Sequence, residues 1–241
     1  MHPSAYRIGR DFFNIYWRKG FRSILEIGSC DINGSLRDFR PEGALYIGVD
    51  LEPGKGVDLV KPLNGPIPIA DASIDVVVCT SVLEHDPFFW VTTLELARIT
   101  RPGGLIYLNA PSNGWFHLHP DDCWRFYPDA GVALVRWAGY NGLCLALIES
   151  FVAEQSGDVW NDFVAVLARE PAPEAPPAFL HDRIRAYNVR KLGVNGRLRV
   201  RHESQDMVRI SELTREVAAL RAELVERRSR AGTKTKPSDG R

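Results

Sequence analysis

The stretch Ser23-Ile24-Leu25-Glu26-Ile27-Gly28-Ser29-Cys30-Asp31-Ile32-Asn33-Gly34 constrains this chain more than any other. A short apolar run ends in an acidic residue and a glycine, and a loop of small residues then leads into Ser35-Leu36-Arg37-Asp38-Phe39. The pattern reads as a buried strand, a tight turn and the start of a helix, the opening of a wound α/β sheet. Ligands of such sheets bind just beyond the carboxyl ends of the strands, so the loop from Gly28 to Gly34 is expected to floor a pocket. Gly28 supplies the backbone freedom that the turn and a close ligand require.

Three further runs follow in order. Ala44-Leu45-Tyr46-Ile47-Gly48-Val49 ends in Asp50, an acid at a strand tip that can accept hydrogen bonds from both hydroxyls of a ribose. Ile74-Asp75-Val76-Val77-Val78-Cys79 is followed by Thr80-Ser81-Val82-Leu83-Glu84-His85, and Leu105-Ile106-Tyr107-Leu108-Asn109-Ala110 is introduced by Arg101-Pro102-Gly103-Gly104. In this order and spacing the set resembles the class I S-adenosylmethionine (SAM) dependent methyltransferases of type 11. It is most similar to a small-molecule branch carrying E-x-G, V-D, F-D-V-V-x-x-x-x-V-L-E-H and R-P-G-G. The resemblance covers residues 20–170 and implies a Rossmann-like, seven-stranded, mostly parallel sheet with helices on both faces.

It also implies SAM as cofactor, held around Glu26, Gly28, Ser29, Cys30, Asp50, Leu51, Leu63, Thr80 and Ser81. The chain departs from the family at two places. Cys30 and Ile32 fill positions where further glycines are usual, leaving Gly34 to supply flexibility. Val60-Lys61-Pro62-Leu63 holds no acid for the adenine amino group, so backbone near Leu63 is expected to take that role.

Composition narrows the class. A 241-residue chain that is 45% hydrophobic can bury one sizeable core and still carry an appendage. No apolar run approaches the roughly 18 residues of a bilayer span and no signal-peptide core is present, so a cytoplasmic protein is expected. Cys30, Cys79, Cys123 and Cys144 lie far apart without a C-x-x-C pair, and read as reduced thiols rather than a disulfide frame or zinc site. Net charge is zero, yet residues 1–180 carry 14 Lys+Arg against 22 Asp+Glu and residues 181–241 carry 16 against 8. The basic end either meets an acidic partner or is a solvated Arg-rich helix. No nucleic-acid partner is expected.

Along the chain, residues 1–170 are assigned to the SAM-binding domain. An aromatic-rich helix spans Ser4–Lys19, and a further helix opens with Asp86 as its cap and Pro87 at its first position. Leu143–Phe151 and Asp162–Leu167 form an antiparallel pair at the sheet edge. Residues 171–180 are a stiff Pro-rich linker. Residues 181–228 are a basic helical extension in which Val217 takes an a position and Leu213 and Leu220 take d positions, with Ile210 and Leu224 continuing the seam. Glu216 and Glu223 at g and Arg221 and Arg228 at e allow a parallel homodimer through residues 207–228; a helix docked on its own domain is the alternative. Residues 229–241 read as a disordered tail.

Methyl transfer asks the protein to align an acceptor with the methyl group and to take up a proton when the acceptor is a hydroxyl. His85, just past a strand end, is a candidate base; it also suits a role in shaping the methionine pocket or ordering its loop. Trp115 to Tyr127 is the other informative stretch. It is similar to the H-x-x-P-x-D-x-W-R-F-T-P segment of methyltransferases associated with bacterial polysaccharide and glycolipid synthesis. His119 is a second candidate base. His117, Asp121, Trp124 and Arg125 are candidate substrate contacts, Trp124 by stacking on a ring and Arg125 by a bidentate fork on a carboxylate or phosphate. Alternatively, Trp124 and Phe126 anchor the loop from within. His117, His119, Asp121 and Asp122 match no recognised metal spacing, so no metal is expected.

The reading is therefore a SAM-dependent O-methyltransferase acting on a small-molecule or glycan acceptor, a sugar or glycolipid/polysaccharide precursor. An N-methyltransferase of a small metabolite, or a SAM-binding scaffold acting through its C-terminal helix, are the alternatives.

Overall fold

A computed structural model describes residues 1–63, 65–118, 120–171, 174 and 176–233. The chain divides into a first unit, Met1–Val200, and a second that begins at Arg201.

In the first unit, β1 (Ser23–Ile27) pairs in parallel with β2 (Leu45–Asp50) on one side. The two-residue β3 (Leu59–Val60) extends that side beyond β2. On its other side β1 pairs with β4 (Ile74–Thr80), which in turn pairs with β5 (Thr100–Pro111). β6 (Leu145–Ala153) and β7 (Asp162–Arg169) join antiparallel, and β8 (Ala186–Lys191) closes the edge, in the order β3-β2-β1-β4-β5-β7-β6-β8. Among the described residues, four strand pairings are parallel and three antiparallel. The mostly parallel, Rossmann-like α/β architecture expected from the apolar runs is the one observed.

Every residue of β4 is buried, because helices cover both of its faces. α1 (Pro3–Tyr16) sets Phe12, Phe13 and Tyr16 against Ile24, Val76 and Tyr107. The alternate residues Leu25, Val77 and Ile106 meet Leu96 and Ile99 of α2 (Phe89–Ile99) and Leu134 and Ala138 of α3 (Asp129–Tyr140). Period-two alternation thus assigns each strand residue to one of two cores.

Local differences from the sequence reading have physical causes. The first loop leads into a single 3-10 turn, Leu36–Phe39, in which Ser35 Oγ accepts from Arg37 N at 3.1 Å. α2 starts at Phe89 rather than Pro87, because Asp86 is used in the preceding turn: Oδ1 accepts from Phe88 N at 2.8 Å and Oδ2 from Thr92 Oγ1 at 2.5 Å.

Among the described residues the sheet has eight strands, not seven, and its edge is β8 rather than the β6–β7 pair. Residues 181–200, read as part of the helical extension, instead complete α4 (Leu180–Arg183) and form β8. A buried carboxylate draws this segment in. Glu149 on β6 accepts from Tyr16 OH at 2.5 Å and from the backbone N–H groups of Leu180 (2.8 Å) and His181 (3.2 Å), and its Oε2 lies 2.6 Å from His181 Nδ1. One charge therefore joins α1, α4 and β6. Burial and the neighbouring carboxylate push the Tyr16 hydroxyl well above its ordinary pKa, so it stays a donor.

The second unit is the long helix α5 (Gln205–Thr233), with Met207 N donating to Ser204 Oγ at 3.2 Å near its start. Ser229–Thr233, assigned from sequence to a disordered tail, are helical; residues 234–241 lie outside the described residues. The i,i+4 pairs Arg227–Glu223 (2.6 Å) and Arg230–Glu226 (2.5 Å) bind the last turns. Among the described residues no helix is long and apolar enough to cross a membrane.

Removing the Glu149 carboxylate strands four buried donors at once. Glu149→Ala is expected to cost about 3 kcal/mol or more, lowering the thermal midpoint by roughly 6–12 °C for a chain of this size. A melting curve within a degree of wild type would show that these bonds contribute little.

Candidate active site

The parallel pairing brings the ends of β1, β2, β4 and β5 to one edge of the sheet. There the loop after β1 turns sharply. Gly28 has φ +74°, and a Cβ on it would lie 2.2 Å from Val82 Cγ2, so both backbone and space demand glycine. Asp50 at the tip of β2 reaches back to this loop: Oδ2 accepts from Cys30 N at 2.8 Å and Oδ1 from Leu51 N at 2.7 Å. Lower in the loop, Asp31 accepts from Gly34 N at 2.9 Å and pairs with Lys55 at 2.5 Å. An open cleft of about 480 Å³ lies against the loop, lined by Met1, His2, Pro3, Tyr6, Asn33 and Gly34.

The structure thus ties Gly28, Ser29, Cys30, Asp50 and Leu51 into one loop assembly, with Thr80 and Ser81 alongside at the end of β4. Ser81 holds φ +55°, unusual for a residue with a side chain, and its N–H donates to the Asn109 carbonyl at 2.9 Å. Leu63 is exposed in the connection between β3 and β4. Glu26 does not line the loop. It is buried on the face of Ile24, where Oε2 accepts from Ser35 Oγ at 3.0 Å and Tyr46 OH at 2.9 Å, and it braces the loop from beneath.

Beyond β4 and β5, two loops fold onto each other. Cys123 N donates to the Glu84 carbonyl at 2.7 Å, and the Asp121 carbonyl lies 2.5 Å from His85 Nδ1. Since a carbonyl only accepts, Nδ1 carries the hydrogen and the lone pair is on Nε2. His117 and His85 meet edge to face with centroids 5.0 Å apart. Among the predicted substrate contacts, Arg125 is engaged within its own loop. Its guanidinium grips both oxygens of Asp122 (2.5 and 2.8 Å) and donates to the Trp115 and Trp124 carbonyls, leaving its fork committed within the loop. Those bonds hold the Asp122 carboxyl well below the usual carboxylate range.

Trp124 is partly exposed but anchored, donating from Nε1 to the Asp86 carbonyl at 3.0 Å and lying against Phe89 and Trp90. Phe126 is buried between Phe89 and Phe163. The side chain of Asp121 is exposed. His119 lies outside the described residues.

Sequence reasoning singled out Thr80, Ser81 and His117 but overlooked Glu84, Asn109 and Asp162. Thr80 Oγ1, Ser81 Oγ, both Glu84 oxygens, Asn109 Oδ1, His117 Nδ1 and both Asp162 oxygens are buried without a well-formed hydrogen bond. Folded proteins leave few such atoms, so the edge where these gather is the candidate ligand surface. Burial pushes the Glu84 carboxyl up to about 8, with Arg125 opposing, and the Asp162 carboxyl up to about 7. Glu84 stood in the Leu-Glu-His motif in plain view; Asp162 carried no sequence signal.

Residues 25–108 match the methyltransferase domain family. Curated relatives are similar over part of the chain. An uncharacterized methyltransferase of Mycobacterium sp. (strain JLS) is 32% identical over 99 residues, which is 37% of this chain and 39% of that one. One of Mycobacterium avium (strain 104) is 31% identical over 110 residues, 39% of this chain and 43% of its own length. The chain thus spans about two fifths of the length of these curated relatives. Among solved structures, the Burkholderia thailandensis 1,6-didemethyltoxoflavin-N1-methyltransferase, crystallised with 1,6-didemethyltoxoflavin and S-adenosylhomocysteine, aligns at TM-score 0.52 and 14% identity. It covers 69% of this chain and 77% of that one, a likeness of fold.

The raised Asp162 pKa has a stability signature. The native carboxyl keeps its proton up to about pH 7, whereas the unfolded one loses it near 4, so stability falls as pH rises through that window. Asp158 adds to the penalty, while Ser4, Arg7 and Asn109 reduce it. Asp162→Asn removes the titration. Its advantage over wild type in denaturant unfolding is expected to grow from about pH 4 to a plateau of about 2–4 kcal/mol above pH 7. A difference independent of pH would show that Asp162 is ionised in the native protein throughout.

Proposed function

We propose that this chain is a SAM-dependent methyltransferase whose acceptor is a hydroxyl of a sugar or glycolipid/polysaccharide precursor. One observation carries the reading. The strand-tip carboxylate of Asp50 is tied to the glycine loop at the same edge where buried polar atoms converge. The matched methyltransferase domain and the wound sheet support it. So does the resemblance of the loop after β5 to polysaccharide-associated enzymes, whose exposed Trp115, Phe116, Leu118 and Tyr127 suit a lipid-linked acceptor.

In this reading SAM lies over the loop from Gly28 to Cys30. Each Asp50 oxygen spends one lone pair on a backbone N–H and keeps another for a ribose hydroxyl. Leu51 and Leu63 flank the adenine, Thr80 and Ser81 face the methionine end, and Glu26 supports from behind. His117, Asp121 and Trp124 border the acceptor. SAM held there would supply an electrophilic methyl group to an acceptor hydroxyl that these residues align. The hydroxyl proton passes to His85 Nε2, or to His119. An N-methyl acceptor would need no such base.

Asp50→Ala is expected to weaken SAM binding at least tenfold in calorimetry, at about 1.5–3 kcal/mol per charged hydrogen bond. Asp50→Asn, which keeps one acceptor oxygen, should fall between. Wild-type affinity in a folded Asp50→Ala protein would remove Asp50 from the site. Mass spectrometry of envelope glycans with and without the gene addresses the acceptor: one methyl increment should disappear, and a change confined to soluble metabolites would refute the glycan assignment.

We further propose that α5 pairs with a second copy in parallel. Ile210, Leu213, Val217, Leu220 and Leu224 form an exposed apolar stripe. The g–e pairs Glu216–Arg221 and Glu223–Arg228 add only about 0.3–0.5 kcal/mol each, and Glu223 already pairs with Arg227 within its own helix, so the seam supplies the association. Since β8 belongs to the sheet, the informative truncation is after Val200. Light scattering should show a dimer for the full chain and a monomer after truncation; a full-length monomer at micromolar concentration would refute pairing.

A further inference from the structure

Glu84, His85 and His117 each present a ligand atom within 4.8 Å of the other two. The three come from two loops: Glu84 and His85 follow β4, and His117 follows β5. A sequence scan for adjacent ligands finds only residues 117–122 and passes over this set.

The surroundings of the three residues bear on what they can hold. Glu84 is fully buried with neither carboxylate oxygen in a hydrogen bond, and Oε1 lies 3.7 Å from His85 Nε2. A buried acid without a partner is costly, and an ion between it and the imidazoles offsets that cost. His85 has its other nitrogen on the Asp121 carbonyl at 2.5 Å, the kind of outer contact that orients a metal-binding imidazole. His117 has a carboxylate at its back: Asp122 Oδ2 is 3.4 Å from its Nδ1 and 2.8 Å from its backbone N, and Arg125 clamps that carboxylate. His2, with its ring centroid 6.2 Å from that of His117, stands next to the set.

We propose that Glu84, His85 and His117 bind one divalent transition-metal ion at the carboxyl edge of the sheet. Two imidazoles and one carboxylate suit Zn²⁺, Co²⁺ or Fe²⁺ rather than Mg²⁺ or Ca²⁺, and three protein ligands leave coordination positions open. The site stands on its own geometry. Only its use rests on the methyl-transfer reading: an ion with an open position would lower the pKa of the acceptor hydroxyl, and, with His85 Nε2 taken up as a ligand, the released proton would pass to His119 or to solvent.

The test uses the full chain, stripped with a chelator and titrated with Co²⁺ as a spectroscopic probe, then with Zn²⁺ in competition. Wild type is expected to develop visible d–d bands that saturate at one equivalent and are abolished by Zn²⁺, with one zinc per chain retained after dialysis. His117→Ala and the near-isosteric Glu84→Gln, each checked for native circular dichroism, should bind at least about tenfold more weakly. Absence of saturable bands in wild type, or unchanged titrations in both folded variants, would overturn the site. Calorimetry of wild type with SAM reads the cofactor proposal separately, so failure of either leaves the other standing.

Discussion

The parallel ladder on both sides of β1 is the constraint on which the rest depends. Because β2, β1, β4 and β5 run the same way, their chain exits fall together and their loops share one edge. The ladder itself is held by residues with no chemistry, such as Leu25, Val77 and Ile106 on one face and Ile24, Val76 and Tyr107 on the other. Antiparallel neighbours would have sent alternate loops to opposite edges. The glycine loop, the Asp50 carboxylate and the Glu84–His85 turn would then never have met.

At that edge the protein accepts groups that a core designed for stability would exclude. Glu84 and Asp162 are buried acids without good partners, and Ser81 holds a strained backbone. Each is unfavourable for folding alone, and all lie at the edge where the cofactor is proposed to bind. Arg125 and Asp122 show the opposite economy. Their bidentate pair uses up both charges to hold the loop that carries His117, so an arginine that invites assignment to substrate serves the architecture. Glu149 does similar work on β6, where one carboxylate organises three elements.

The parallel half of the fold was legible because each strand is a continuous apolar run bounded by glycine, proline or acid. Gly28 and Asp50 were legible for the same reason, since local backbone geometry and strand-tip position define them. β8 was not. Ala186-Tyr187-Asn188-Val189-Arg190-Lys191 is half polar, and its strand character comes from pairing with β6, more than thirty residues earlier. The start of α2 was misplaced because Asp86 bonds both Phe88 and Thr92, a choice among local hydrogen bonds that spacing does not reveal.

What the sequence by itself determined, then, is the wound sheet and the loop at its carboxyl edge, because hydrophobic periodicity and glycine act over a few residues. Which polar side chains would face one another was decided only by the tertiary structure. Glu84 and His117 are separated by a helix and a strand in the chain, and Ser4 and Asp162 by most of the first unit. Their proximity, and with it the raised pKa of the Glu84 and Asp162 carboxyls, is a product of packing, which no local pattern encodes.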